Sequence, residues 1–173
     1  MTRTKKIALC AVLVALALAL SYVERFLPLQ LLIPLPGVKL GLANTVTLIA
    51  LYLLGRKYAF GILIPRCILG ALFGGGITGL LFSLLGGIFA LCIMSAVKNS
   101  RLFSLYGVSI LGAAAHNVGQ IVASMAVMGS VYIAAYLPYL LLVAIFTGLA
   151  TGAAGAGVLR VLRSVSISDE MSR

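Results

Sequence analysis

The chain has 173 residues, of which 62% are hydrophobic and only 9% are charged. Its mean hydropathy is +1.20, whereas soluble globular domains typically contain about 25% charged residues. These values exclude a soluble globular protein and indicate an integral membrane protein. The net charge of +10 comes from small basic groups between apolar runs, which indicates membrane topology rather than nucleic-acid binding.

Six apolar runs predict an all-α integral membrane protein with six transmembrane helices in one domain, residues 1–173. The spans are expected at about residues 7–23, 40–55, 58–74, 77–97, 105–128 and 133–158. Helices are expected because backbone groups in hydrocarbon must be paired within their own segment, and the runs lack the alternation of barrel strands. Since each span needs ~20 residues, no room remains for a soluble catalytic domain.

Basic residues occupy every second connection between the predicted spans. They are Arg3, Lys5 and Lys6 before the first span, then Arg56 and Lys57, Lys98 and Arg101, and finally Arg160 and Arg163. The positive-inside rule therefore predicts that both termini are cytoplasmic. It places the first, third and fifth connections outside the cell.

Residues 24–39, the first outer connection, are predicted to form an apolar flap rather than a helix. Prolines interrupt its leucines, and covering those leucines with the bundle or the membrane surface is more favourable than solvating them. A plain interfacial linker is the alternative. At the end of the flap, Lys39 precedes Asn44 and Thr47, which share one face of the second span.

Polar side chains follow one face of the fifth span. His116, Gln120 and Ser124 are four residues apart, and Asn117 lies beside them. Such groups are costly at this depth unless they face a bundle interior or a wet cavity. They are therefore predicted to contact a ligand, with interhelical hydrogen bonding as the alternative.

Arg66 lies within the third span, where insertion of an arginine costs about 2.5–3.5 kcal/mol. A bound anion, the Glu24 carboxylate or helix-end carbonyls would offset that cost, so a ligand role and a structural role both remain open. Tyr136 and Tyr139, at the outer end of span six, are expected to stack on a flat ligand ring. The predicted pocket opens outward and is lined by Lys39, Asn44, Thr47, Arg66, His116, Asn117, Gln120, Tyr136 and Tyr139.

Three alanines, Ala11, Ala15 and Ala19, repeat at four-residue spacing on the first span and form a small-residue groove. The groove suits docking of a helix from another protein, and internal packing is the alternative. The sequence has no Gly-x-x-x-x-Gly-Lys-Ser/Thr phosphate loop and no cluster of metal ligands. We therefore predict no nucleotide hydrolysis, metal site or cofactor.

The segment from Pro36 to Asn44, PGVKLGLAN, leads into LIALYLLG at residues 48–55. Together they resemble the start of the second helix in S components of energy-coupling factor (ECF) transporters. The chain is most similar to the Gx transporter family, often labelled heptaprenyl diphosphate synthase component I. The resemblance covers essentially the whole chain, including the alanine series and the pair His116-Asn117.

This resemblance implies an S-component-like bundle in the bacterial cytoplasmic membrane. Such a protein captures a small vitamin-like or quinone/isoprenoid-precursor molecule from outside. The alanine motif then docks onto a T component, which is driven by two ATP-binding cassette ATPases. The implied partners are these subunits, the small molecule and the lipid bilayer, without nucleic acid, while the identity of the molecule stays open.

The family label raises a second hypothesis, a non-catalytic membrane subunit or scaffold associated with polyprenyl diphosphate or quinone metabolism. Catalysis by this chain is not expected. Prenyl transfer needs clustered aspartates that hold Mg²⁺ on the diphosphate, and the only acidic residues are Glu24, Asp169 and Glu170.

Overall fold

The computed structural model describes residues 2–24, 26 and 41–171, and its regular elements in these ranges are all helices. The α-helices are α1 (Arg3–Glu24), α2 (Ala43–Leu53), α3 (Arg56–Gly70), α4 (Gly76–Val97), α5 (Leu105–Met128) and α6 (Leu137–Met171). A short π-helical segment, Ala71–Gly75, follows α3, and a 3-10 helix, Val131–Tyr136, precedes α6. The all-α prediction is confirmed for the described residues.

Capping and glycine conformations explain where two of the helices begin and end. Helix α5 has the predicted bounds because the Ser104 hydroxyl accepts a bond from the Gly107 N–H and Gly129 adopts a left-handed φ of 63°. Helix α2 is shorter than the predicted span 40–55. Gly41 and Gly55 have φ values of 83° and 89°, which lie outside the helical region and confine α2 to the residues between them.

A turn separates α3 from α4 within a stretch that is apolar from Arg56 to Val97. Phe73 has a ψ of 34° and Gly74 a φ of 103°, so the helical path is interrupted there. The two helices pack against each other on either side of the turn. This apolar stretch therefore forms a hairpin of two helices, which correspond to the predicted spans 58–74 and 77–97.

Helix α2 lies at the centre of the bundle and packs against every other α-helix of the described chain. Eight of its 11 residues are buried. At 1.5 Å per residue, α2 is roughly 16 Å long, about half the thickness of a bilayer's hydrocarbon core. Its first turn lies inside the bundle, where Ala43 and Asn44 are buried.

Basic residues from three parts of the chain meet at one end of the bundle. The Lys6 ammonium lies 5.7 Å from the ring centroid of Tyr58, which joins the start of α1 to the start of α3. Lys98, just after α4, donates to the Leu51 carbonyl near the end of α2 at 3.0 Å. The basic groups thus share one end of the bundle, as the predicted topology requires.

The outer surface of the bundle is apolar. Large side chains such as Leu16, Ile68 and Phe146 are exposed, which suits contact with lipid rather than water. Four stretches are long and apolar enough to cross a membrane: Arg3–Glu24, Arg56–Val97, Leu105–Met128 and Val131–Leu162. The chain is therefore a membrane protein, while the count of six spans and their orientation remain predictions.

Candidate binding site at the start of helix α2

The last residue of α1 holds the turn that begins α2. The Gly41 N–H donates to Oε1 of Glu24 at 2.5 Å, and the Glu24 side chain is buried. Inside the turn, the Asn44 N–H donates to the Gly41 carbonyl at 2.8 Å. The Glu24 carboxylate therefore lies at the positive end of a helix, where negative charge is stabilised.

Arg66 connects the middle of α3 to the first turn of α2. Its Nη2 donates to Oδ1 of Asn44 at 3.1 Å, and the residue is only 6% exposed. Its Nε atom is also buried and has no hydrogen-bond partner among the described residues. Arg66 lies ten residues beyond Arg56, roughly 15 Å along α3, and so within the third helix as predicted.

His116 lies in the middle of α5 and is paired with Gln120 on the same helix. The two Nε2 atoms are 3.0 Å apart, and both residues are buried. Either ring nitrogen of an imidazole can carry the proton, so the tautomer of His116 sets which of the two groups donates.

Two glycines give the His116 ring its space. A Cβ atom on Gly86 of α4 would lie 2.7 Å from Nδ1 and Cε1 of the ring, closer than real Cβ contacts. A Cβ atom on Gly41 would lie 3.2 Å from Cδ2 of the same ring. The imidazole is therefore enclosed between α4 and the turn before α2.

These groups meet in a small cavity, which we name the polar cavity. It is lined by Ser21, Glu24, Gly41, Ala43, Asn44, Arg66, Ser83 and His116. The centre of a water-sized probe can occupy about 10 Å³ of it, which is room for about one water molecule. Glu24 and Arg66 place opposite charges in its wall, and amide, hydroxyl and imidazole groups complete it. Such a concave site with a few polar groups can orient the polar part of a small molecule.

The family model described as heptaprenyl diphosphate synthase component I matches residues 13–158. The chain belongs to this family. It is the ECF S-component-like family to which the sequence resemblance points. No curated protein and no solved structure gives a significant match. The range matched to the family contains every residue that lines the polar cavity.

The family description names a synthase component, but it does not assign catalysis to this chain. Within the matched range, Glu24 is the only acidic residue, because Asp169 and Glu170 lie beyond residue 158. Magnesium on a diphosphate is held by several carboxylates. One carboxylate that accepts a bond from the Gly41 N–H does not provide such a set.

Of the residues predicted to line the pocket, Asn44, Arg66 and His116 line the polar cavity together. Gln120 is not in its wall but holds the His116 ring through the bond between them. Thr47 is fully buried, and its hydroxyl donates to the Ala43 carbonyl of its own helix at 3.5 Å. In this family member the cavity thus combines predicted residues of α2, α3 and α5 with residues of α1 and α4.

Three other residues predicted to line the pocket lie outside the wall of the polar cavity: Asn117, Tyr136 and Tyr139. The Asn117 amide donates to the Leu140 carbonyl of α6 at 2.7 Å and so connects two helices. Tyr136 and Tyr139 are 39% and 44% exposed at the start of α6 and do not line the polar cavity. Lys39 and nearly all of the predicted flap 24–39 lie outside the described residues.

The sequence patterns missed several parts of the cavity. Glu24 was assigned to the flap, whereas it is the last residue of α1 and bonds the turn before α2; its predicted proximity to Arg66 agrees with their shared place in the cavity wall. Ser21 and Ser83 carried no signal, because single serines are common in membrane helices. Glu24 had one usable signal, since it is the only acid outside the C-terminal tail.

The three alanines of α1 are all exposed. Helix α1 instead turns Leu13 and Ala17 inward, and both are buried. Ala11, Ala15 and Ala19 therefore form an uncovered strip on the described bundle, which we name the alanine strip. Among the described residues, internal packing does not cover them.

Proposed function

We propose that this chain is the substrate-binding S component of an ECF-type importer. It captures a small vitamin-like or quinone/isoprenoid-precursor molecule from outside and delivers it together with a T component and two ATP-binding cassette ATPases. The observation that carries the proposal is the polar cavity at the start of α2, enclosed in an otherwise apolar bundle.

Glu24 and Arg66 are ionisable groups buried within an apolar bundle. Buried ionisable groups in a membrane bundle are expensive, and they commonly mark substrate or ion sites. Here Glu24 and Arg66 are both buried beside the start of a helix that is half the usual length. Helices that begin within the membrane present their N-terminal N–H groups to bound polar molecules in many transporters.

The predicted topology and the exposed surface of α1 also support the importer role. The basic end of the bundle suits the cytoplasm, and the polar cavity lies at the opposite end of α2 from Leu51 and Lys98. We therefore propose that the cavity faces outward. The alanine strip on α1 gives a partner helix close backbone access, which suits docking of the T component.

The family description favours a second candidate function. In that case the chain is a non-catalytic membrane subunit or scaffold associated with polyprenyl diphosphate or quinone metabolism. A scaffold needs a docking surface, but it does not need buried Arg66 and Glu24 beside a cavity. The polar cavity therefore favours the importer.

Docking is tested by co-expression of the chain with a T component and its ATPases. Ala15→Leu fills the alanine strip, so it should reduce co-purification of the T component at least tenfold and abolish ATP-driven uptake. Ala96→Leu is the matched control, because Ala96 is exposed on α4, which does not contact α1. Normal assembly and uptake with Ala15→Leu would contradict the docking proposal.

The molecule that co-purifies with the wild-type protein distinguishes the two candidates. The importer hypothesis expects one small molecule in about stoichiometric amount, detected by mass spectrometry after denaturation. It also expects uptake of that molecule in vesicles with ATP inside the compartment that contains the ATPases. A polyprenyl diphosphate synthase subunit in the purified complex, without uptake, would instead support the scaffold.

A further inference from the structure

We infer that a second pocket, between the C-terminal ends of α1 and α3, binds the body of the substrate, and that this substrate is a flat, uncharged, lipid-soluble ring molecule. We name it the apolar pocket. It is lined by Leu18, Ala19, Ser21, Tyr22, Gly70 and Phe73. This inference rests on the proposed substrate-binding function and specifies the class of substrate.

The size of the apolar pocket fits a small molecule. Its volume is about 460 Å³, within the range of about 300–1,000 Å³ that is usual for small-molecule sites. The polar cavity beside it has room for only about one water molecule. The body of a substrate therefore fits the apolar pocket and does not fit the polar cavity.

The lining of the apolar pocket disfavours a charged group. None of the described residues that line it carries a charge, and most of their side chains are hydrocarbon. An ionised carboxylate, phosphate or ammonium group would leave water here without an opposite charge, which costs far more than burial of an uncharged group. The part of the substrate that lies in this pocket is therefore uncharged.

The aromatic side chains of the pocket favour a flat ring. Tyr22 and Phe73 both line it, and aromatic rings pack favourably against other rings. The Tyr22 ring is itself oriented by Phe26, which it meets edge-on with the ring centroids 5.3 Å apart. Beside these rings, a Cβ atom on Gly70 would meet only Leu18 among the described residues, at an ordinary contact distance of 3.8 Å. A ring therefore has both stacking partners and space.

The position of the apolar pocket suits entry from the bilayer. Leu18 and Tyr22 lie roughly 22 and 28 Å along α1 from Arg3, whereas the hydrocarbon core of a bilayer is about 30 Å thick. The pocket is therefore within the apolar layer, at the end away from the basic residues. Tyr22 and Phe73 are also exposed on the surface that suits lipid. A lipid-soluble molecule can reach the pocket sideways.

Ser21 connects the apolar pocket to the polar cavity, because it lines both. A hydroxyl group can donate and accept hydrogen bonds. A polar substituent at one end of a ring can therefore bond at this boundary while the ring stays in the apolar pocket. The inferred substrate is a flat, uncharged ring molecule with such a substituent.

Competition with lipid tests the inference on the wild-type protein in nanodiscs. The nanodiscs contain a phospholipid whose acyl chain carries a photoactivatable diazirine, and mass spectrometry maps the labelled residues. 2-Naphthol is the uncharged probe, and naphthalene-2-sulfonate has the same rings with a fixed charge. We expect saturating 2-naphthol to lower lipid labelling of residues 18–22 and 70–73 at least fivefold, and naphthalene-2-sulfonate to lower it less than twofold. Labelling of Phe146, exposed on α6, should not change.

Three outcomes of this competition would overturn the inference. Undiminished labelling of the pocket would show that an acyl chain of the bilayer is its occupant. An equal loss of labelling at Phe146 would show that 2-naphthol only partitions into the bilayer. An equal effect of naphthalene-2-sulfonate would show that the pocket does not select against charge.

The variant Gly70→Leu fills the apolar pocket and tests its location. Gly61→Leu is the matched control on α3, because Gly61 is exposed and a Cβ atom there meets nothing within 4 Å. Equilibrium dialysis of radiolabelled 2-naphthol, corrected with empty detergent micelles, measures the affinity, and gel filtration checks that both variants are folded. The affinity should fall at least tenfold in Gly70→Leu and less than twofold in Gly61→Leu. Equal affinities in the two variants would overturn the inference.

Mass spectrometry of the molecule that co-purifies with the wild-type protein gives a result that depends on no variant. The inference expects a lipid-soluble ring molecule without an ionised group. A charged, water-soluble molecule that is also imported would overturn the inference and leave the importer function standing. Failure of the wild-type protein to assemble with a T component would instead count against the importer function.

Discussion

Nη2 of Arg66 donates to Oδ1 of Asn44 at 3.1 Å and so joins the middle of α3 to the first turn of α2. Asn44 is uncharged, so this bond does not neutralise the guanidinium. The opposite charge in the same cavity wall is Glu24, which holds the turn before α2. The two charged residues therefore connect α1, α2 and α3 around one space, and their balance should govern stability.

The charge balance predicts how substitutions at these two positions combine. Arg66→Met removes the positive charge that shares the cavity wall with the buried Glu24 carboxylate, and should lower the unfolding free energy by about 3 kcal/mol. The double variant Arg66→Met/Glu24→Gln should recover more than half of that loss, because neither charge remains. Reversible unfolding in mixed detergent and dodecyl sulfate measures both values.

The control for this cycle is Arg56→Met, at the start of the same helix. Arg56 is exposed and donates through Nη2 to the Ser95 carbonyl at 2.5 Å, so its loss should cost about 1 kcal/mol. Glu24→Gln should add to that cost independently. Equal recovery by Glu24→Gln in both arginine backgrounds would show that Glu24 and Arg66 are not coupled.

The contact between Gly86 and the His116 ring gives a second prediction. In Gly86→Ala the new Cβ would lie 2.7 Å from the ring, so the imidazole must move or the helices must separate. Overpacking of this kind typically costs about 1–3 kcal/mol. His116→Ala removes the obstacle, so Gly86→Ala should cost much less in that background when unfolding free energies are compared.

Gly79 provides the matched control on α4. A Cβ on Gly79 meets no atom within 4 Å, so Gly79→Ala should be neutral or stabilise the helix by up to about 1 kcal/mol. A similar loss of stability for Gly79→Ala and Gly86→Ala would mean that backbone effects in α4, rather than the His116 ring, cause the change.

Much of the fold follows from the sequence because the bilayer limits what apolar runs can form. The run from Leu105 to Met128 is flanked by Ser104, a residue type that commonly caps helix N-termini, and by Gly129, a residue type that commonly follows helix C-termini. Its bounds were therefore predictable. The length of α2 was harder to predict from the sequence. The apolar run extends from Leu40 to Gly55, beyond both ends of the helix, and the backbone conformations of Gly41 and Gly55 end the helix within it.

Only part of the site was predictable from the sequence, and the reason is geometric. Asn44, Arg66 and His116 were predicted because they are polar residues within apolar runs, where burying a polar group without a role costs free energy. The direction of each side chain depends on helix rotation and on neighbouring helices, which one sequence does not specify. Adjacent residues can therefore serve different contacts, as Asn117 does when it donates to the Leu140 carbonyl while His116 lines the cavity.

Close packing between α4 and α5 gives a third prediction. A Cβ on Gly119 would lie 2.7 Å from the Leu85 carbonyl oxygen and 2.8 Å from the Cα of Gly86, which are backbone atoms. A Cβ on Gly112 would instead meet the Met94 side chain, which is flexible. Gly119→Ala should therefore lower the unfolding free energy by at least about 2 kcal/mol, and by more than Gly112→Ala does. Equal losses would contradict this difference.

Membrane orientation gives the last prediction, tested by single cysteines in a variant without Cys10, Cys67 and Cys92. Lys98 lies at the basic end of the bundle, so the neighbouring Ser100→Cys should react with an impermeant maleimide only after cells are permeabilised. Ser130→Cys, beyond the opposite end of α5, should react in intact cells. The reverse pattern would invert the topology and place the polar cavity towards the cytoplasm. Labelling of both positions in intact cells would indicate two orientations in the membrane.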